Sequence, residues 1–360
     1  MPVHWLVVQE HFNDLVIATY GRGFWVLDDI TPLQQLTRRV LESNAYLFAS
    51  RPAYRFRPIT EPMSHADSAS EFPALRGHDP AAGENPPYGA SISYFLNSPP
   101  QGDVTIRILD PTGRVVRTLE GSKKAGINRI WWDLRGELSK EIRLRTSPAY
   151  ASQVRTGPEG WRPLPEGGRL SVLAPPGTYA VRLEVDGQGL SQPLTVRKDP
   201  HSAGTEADIR AQVQMLVDIR SDLESVADMV NLIEGIRTQL YNVMAVLERG
   251  EAMAPVRAAA DELDGKCIAL EEHLIQRRLT GAGDGVRWPP KLVSKLAYLA
   301  DGVATVDFPP TTQQREVHAL FRQQIAALRA QLDELVRRDL AAFNNLLRAR
   351  QIGNIIASKS

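Results

Sequence analysis

The chemistry this chain can carry rests on a few carboxylates, guanidinium groups and indoles. Near the start, Glu10, Tyr20, Arg22, Asp28 and Asp29 fall within one short stretch. Glycoside hydrolysis needs two carboxyl groups about 5–10 Å apart across the scissile bond, and a guanidinium fork suits a carboxylate on the substrate. Asp28 and Asp29 are adjacent, so on a strand they point to opposite faces and do not share a site. Arg22 stands between Gly21 and Gly23, where a solvated or carbonyl-capping arginine is the ordinary case. A second group, Arg143, Arg145, Arg155, Trp161 and Arg162, mixes cations with an indole and would suit an anionic glycan. A solvated surface loop is its plainer reading.

Other signatures are missing. The seven histidines include no His-x-x-x-His pair, so no zinc site is expected. Gly21-Arg22-Gly23 lacks the lysine and spacing of a phosphate loop, and no Gly-x-Ser-x-Gly elbow occurs. The single cysteine, Cys267, sits among apolar residues and reads as a small buried hydrophobe. The expectation is a chain with no catalytic set, metal or cofactor of its own. Lys plus Arg (42) equal Asp plus Glu (42), which removes the basic surplus that nucleic-acid binding needs. No run of about 20 apolar residues is present, so no transmembrane segment is expected. The first residues lack the basic start and cleavage site of a signal peptide. They begin inside a strand pattern, as if the natural beginning lay upstream.

The elements that must position these residues divide the 360-residue chain into several domains. Residues 1–50 hold Val3 to Val8, Leu15 to Tyr20, Phe24 to Leu27 and a weaker Tyr46 to Phe48, punctuated by Asn13-Asp14 and by Gly21-Arg22-Gly23. This is one blade-sized antiparallel sheet, too small to cover its own apolar faces. Residues 51–89, and above all 57–89, are rich in Pro, Ser, Ala and Glu and read as a linker or wrapping loop.

Short strands at about 8–12-residue spacing return over 90–198 and predict an immunoglobulin-like β-sandwich, with a polar insertion at about 136–168. In it, Trp131 and Trp132 alternate across a strand, so one enters the core and the other faces outward. Residues 205–352 carry aliphatic stripes at intervals of three and four and predict a four-helix antiparallel bundle with few buried polar groups. Thr205 with Asp208 supplies a capping-box-like start, Gly250 a stop, and Pro309-Pro310 precedes the last helix. Arg337, Arg338, Arg348 and Arg350 read as cations near a helix C-terminus. The fold class is therefore multidomain β plus α.

The run from Asn13 to Asp29, Asn-Asp-Leu-Val-Ile-Ala-Thr-Tyr-Gly-Arg-Gly-Phe-Trp-Val-Leu-Asp-Asp, resembles the closing blade of sortilin-type and bacterial-neuraminidase-repeat β-propellers. The Ser-x-Asp-x-Gly-x-Thr-Trp box of such repeats is absent. Lys124 to Leu134 and Pro175 to Leu183 resemble the immunoglobulin-like modules of secreted bacterial enzymes. Together with the helical tail, the chain resembles the C-terminal part of bacterial glycosyl-hydrolase-like propeller proteins of the exo-sialidase type. That resemblance implies export from the cytoplasm, an upstream propeller as partner, and an accessory, non-catalytic scaffold or interaction role. Arg22, Asp28 and Asp29 would then be propeller-face residues, and Trp161, Arg143 and Arg145 a glycan contact. The competing expectations are a contribution to the parent's glycoside-hydrolysing site and a carbohydrate-binding module, with a glycan or a protein as further ligand.

Overall fold

The computed structural model describes residues 2–57, 85–247 and 251–357. It is mixed α and β, with four sheets and a set of helices among the described residues. In chain order the strands are β1 (Val3–Gln9), β2 (Asp14–Thr19), β3 (Phe24–Leu27), β4 (Ala45–Leu47), β5 (Ala53–Arg55), β6 (Ala90–Leu96) and β7 (Thr105–Leu109). They continue with β8 (Val115–Glu120), β9 (Gly126–Trp132), β10 (Arg143–Leu144), β11 (Arg162–Pro163), β12 (Gly177–Val185) and β13 (Gln188–Lys198). The helices are α1 (Thr31–Gln34), α2 (Arg38–Leu41), α3 (Glu206–Val246), α4 (Ala254–Leu274), α5 (Leu292–Ala304), α6 (Thr312–Glu334) and α7 (Ala341–Arg348). Most of the loop expected at 51–89, and the Gly250 stop, lie outside the described residues.

The chain forms two compact units. Among the described residues the first draws on 2–57, 85–137 and 172–213, the second on 138–171, 214–247 and 251–357, and the division falls within α3.

In the first unit, β1-β2-β3 is an antiparallel sheet. Its turns use Asn13 (φ 58°), Gly21 (φ 79°) and Gly23 (φ 68°), the left-handed positions that these residue types tolerate. A five-stranded sheet in the order β5-β13-β12-β7-β8 and a three-stranded sheet in the order β4-β6-β9 share one hydrophobic core, built on Ile92, Tyr94, Ile106, Trp132, Leu183 and Leu194. The β12–β13 hairpin turns on Asp186 (φ 45°) and Gly187 (φ 80°), the two left-handed residues of a type I′ turn that fixes its register. Trp132 is the inward indole: it is fully buried, meets the Tyr179 ring edge-on at 5.2 Å, and donates from Nε1 to the Arg135 carbonyl at 2.8 Å. Gly89 makes room beside it, since a Cβ there would lie 1.9 Å from the Trp132 carbonyl oxygen. Trp131 is half-buried.

Two strands depart from the sequence reading. Residues 45–47 pair with β6 and not with the first sheet, and Ala53–Arg55 form a parallel edge strand on β13 where a linker was expected. The reason is burial. β6 is buried along its whole length, its second face closed by Val40 and Phe48 around Phe95, so it needs neighbours on both sides.

In the second unit, α4 lies against α5, α6 and α7. The last helical stretch contains a π-helical segment at Leu335–Leu340 between α6 and α7. Leu335 and Leu340 are both buried, and a five-residue step keeps both on the inner face only if the helix widens there. Arg337 and Arg338 thus lie inside that segment, paired with Glu334, and not at a helix end. The expected capping box forms, Thr205 with Asp208 before α3, and a second one, Thr311 with Gln314, opens α6. Among the described residues no helix is long and apolar enough to cross a membrane.

Candidate functional site

The insertion at 138–171 belongs with the helices. Its extended chain runs along one face of α3 and is held there by side chains that read its backbone. Arg220 donates to the Leu138 carbonyl at 3.1 Å, and Lys140 pairs with Asp228. The Asn231 amide works in both directions, donating to the Glu141 carbonyl at 3.0 Å and accepting from the Arg143 N–H at 2.8 Å. Glu234 accepts from the Arg145 and Thr146 N–H groups and from the Thr146 hydroxyl. An extended segment with little sheet around it must find partners for its amides, and here a helix face supplies them. Asp228, Asn231, Glu234 and Arg237 recur every third residue, which places them in one row.

This anchoring positions two of the candidate residues, Arg143 and Trp161, together. β10 pairs with β11 so that Leu144 opposes Arg162, and Leu144 turns inward while Arg143 and Arg145 share the outward side. The Arg143 guanidinium sits 5.0 Å from the centre of the Trp161 ring, a cation–π contact. Arg162 is spent structurally, donating from Nε to the Thr146 carbonyl at 3.0 Å. Arg155 is exposed. Of the expected grouping, Arg143 and Trp161 meet on the hairpin, whereas Arg145 lines a cleft with Asn231, Gly235 and Gln239.

Beneath the hairpin lies a buried charge network that the aliphatic stripes did not announce. Arg237 donates from Nη1 to Glu234 at 2.9 Å and to Glu271 at 2.8 Å, and from Nε to Asp264 at 2.8 Å. Arg277 reaches Glu271 at 2.9 Å. Burial opposes the charge on Arg237, but Glu271, Asp264 and Glu234 together hold its proton more firmly than usual. Burial, reinforced by the neighbouring Glu234, pushes the Glu271 carboxyl up to about 8. Its Oε2 takes both guanidinium groups, and its Oε1 meets no partner. Glu271 is 1 % exposed, so no substrate reaches it and the network works as an internal tie. Cys267, one turn away, is fully buried and its thiol is pushed up to about 12 by burial, which leaves it unreactive.

The other candidates are kept apart. Arg22 is exposed in the turn before β3, whereas Asp28 and Asp29 follow its far end. Four strand residues separate the two ends by about 13 Å at ~3.3 Å each. Asp29 is buried with φ 51°, its carboxylate 3.5 Å from Arg51 Nε and 3.3 Å from the Thr31 N–H. The carbonyls of Asp28 and Asp29 accept from Arg129 of β9 at 2.8 and 2.7 Å. The pair therefore ties β3 to the core sheets. Glu10 and Tyr20 are exposed.

The rest of β1-β2-β3 has no cover on much of its surface. Trp5 is 70 % exposed, Phe24 79 % and Trp25 56 %, and Leu6, Val7, Val26 and Leu27 are also exposed. Among the described residues the sheet is packed where His11 and Phe12 meet Tyr54 and Arg51 lies over Phe12.

Among the described residues no three or more His, Cys, Asp or Glu side chains gather as a metal-binding group. Sequence reasoning overlooked the polar row on α3, for which a spacing of three inside a buried helix was the available signal. Among family models, curated proteins and solved structures, none matches this chain.

Proposed function

We propose that this chain is a non-catalytic scaffold and interaction region of a propeller protein that works outside the cytoplasm. In this reading β1-β2-β3 is a propeller blade, the two sheets sharing a core are an immunoglobulin-like sandwich, and α3 to α7 form an antiparallel bundle. The observation that carries it is the blade itself. A three-stranded sheet that leaves Trp5, Phe24 and Trp25 in water is a surface made to be covered, since isolated sheets of this size are marginal and large exposed apolar patches mark interaction sites. Neighbouring blades of a propeller are the cover proposed, in line with the resemblance of the Asn13 to Asp29 run. One blade does not surround a sugar, because a propeller site draws side chains from several blades around its axis.

The separation of Arg22 from Asp28 and Asp29, and the buried Asp29 carboxylate held by Arg51 and the Thr31 N–H, support an accessory role over a catalytic one. Purified chain should release no product from aryl-glycoside or sialoside substrates above a buffer control. Turnover that disappears on Asp28→Ala or Arg22→Ala would overturn this reading in favour of a glycoside-hydrolysing site. The Arg143–Trp161 pair favours one second reading, a carbohydrate-binding surface for an acidic glycan, which a glycan array on the chain would test.

A further inference from the structure

A cleft of about 210 Å³ opens beside the anchored hairpin, lined by Arg145, Asn231, Leu232, Gly235, Thr238, Gln239 and Ile356. Its amide walls are already satisfied. Asn231 is taken up by the Glu141 and Arg143 backbone, and Gln239 exchanges two 2.9 Å hydrogen bonds with the Ile356 backbone. One charged group remains. The Arg145 side chain makes no ion pair or hydrogen bond among the described residues, its neighbour Glu234 being committed to Thr146, to Arg237 and to the Arg145 N–H. Thr238 Oγ1 is buried behind the cleft wall and out of a ligand's reach. Gly235 leaves open space, as a Cβ there would meet nothing within 4 Å.

We propose that this cleft is a binding site for a small organic monocarboxylate, with the Arg145 guanidinium as its charge partner. A single cation in otherwise neutral walls matches one negative charge better than a phosphate dianion. A fork of N–H groups fits a planar carboxylate. Leu232 and Ile356 give an apolar flank for a short carbon skeleton. The cleft is smaller than the ~300–1,000 Å³ of sites for drug-sized ligands, which limits the occupant to a small acid or the acidic end of a larger one. This inference is independent of the scaffold reading.

The test is a chemical-shift titration of the full chain with butyrate, D-glucuronate, inorganic phosphate and the neutral ester methyl butyrate. Saturable binding of butyrate or glucuronate, but not of the ester, is expected, and which acid binds more tightly distinguishes a simple acid from an acidic sugar. Arg145→Gln should weaken that binding about tenfold or more, the scale of ~1.4 kcal/mol. Gly235→Leu should abolish it by filling the cleft, and leucine at a helix interior position favours folding relative to glycine. That second variant decides the matter if Arg145→Gln does not fold. No saturable shift with either acid, equal binding of ester or phosphate, or affinity unchanged in both variants would overturn the proposal.

Discussion

Trp132 and Trp131 differ by one position and by most of their energetic weight. The indole of Trp132 fills the shared core and donates to Arg135, so Trp132→Ala leaves both a cavity and an orphaned carbonyl and should cost about 3–5 kcal/mol. Trp131→Ala, at a half-buried position, should cost much less in the same urea titration; equal effects would contradict the core assignment. Alternation along the strand made the pair legible in the sequence, down to the fact that one member must be inward. Glu271 was not legible, because an acidic residue on an amphipathic helix ordinarily faces water. Its carboxyl is raised from the usual value near 4.5 to about 8, so between those pH values the folded chain binds the proton that the unfolded chain has released. That stability contribution is complete below pH ~4.5 and declines as pH rises toward ~8. Thermal melts should therefore show wild type losing stability relative to Glu271→Gln across that interval. Parallel pH profiles for the two would show that Glu271 is ionised in the fold.

Along α3, the side chains that hold the insertion differ in burial, and this ranks their contributions. Asn231 is buried and satisfies two backbone groups of the inserted segment, so Asn231→Ala should cost about 1–3 kcal/mol and speed hydrogen exchange at Arg143. Asp228 and Lys140 are about 40 % exposed, and Asp228→Ala should cost less than about 1 kcal/mol. The reverse order, measured by chemical denaturation, would mean that the insertion is held by charge and not by backbone recognition. Helix positions and the Thr205–Asp208 capping box were readable because they depend on local spacing. The anchoring was not, since a Gly- and Pro-containing polar stretch looks the same whether water or a helix face satisfies its amides. The pairing of β4 with β6 was hidden for a related reason: strand composition marks Tyr46 to Phe48 as extended but carries no information on which distant strand it meets. The π-helical segment did leave a trace, in the five-residue step from Leu335 to Leu340.

Across the whole molecule, burial is distributed unevenly in a way that bears on function. The two sheets that share a core bury Ile92, Ile106, Leu183 and Leu194 completely, whereas every residue of β1 and β3 is exposed. The sequence showed that the first sheet was too small for its apolar content, and composition alone could not say whether another part of the chain covered it. Among the described residues of the first unit, the Phe12 to Asp14 turn and the Asp28-Asp29 junction fasten it. A sheet held at one end and open elsewhere should open easily, because exchange protection follows local burial. Hydrogen–deuterium exchange resolved along the chain tests this most directly. Amides of 3–9 and 24–27 should exchange orders of magnitude faster than those of 92–96, 128–132 and 179–185. Protection of β1 and β3 equal to that of β6, β9 and β12 in the isolated chain would contradict the view that this sheet is a blade awaiting its neighbours.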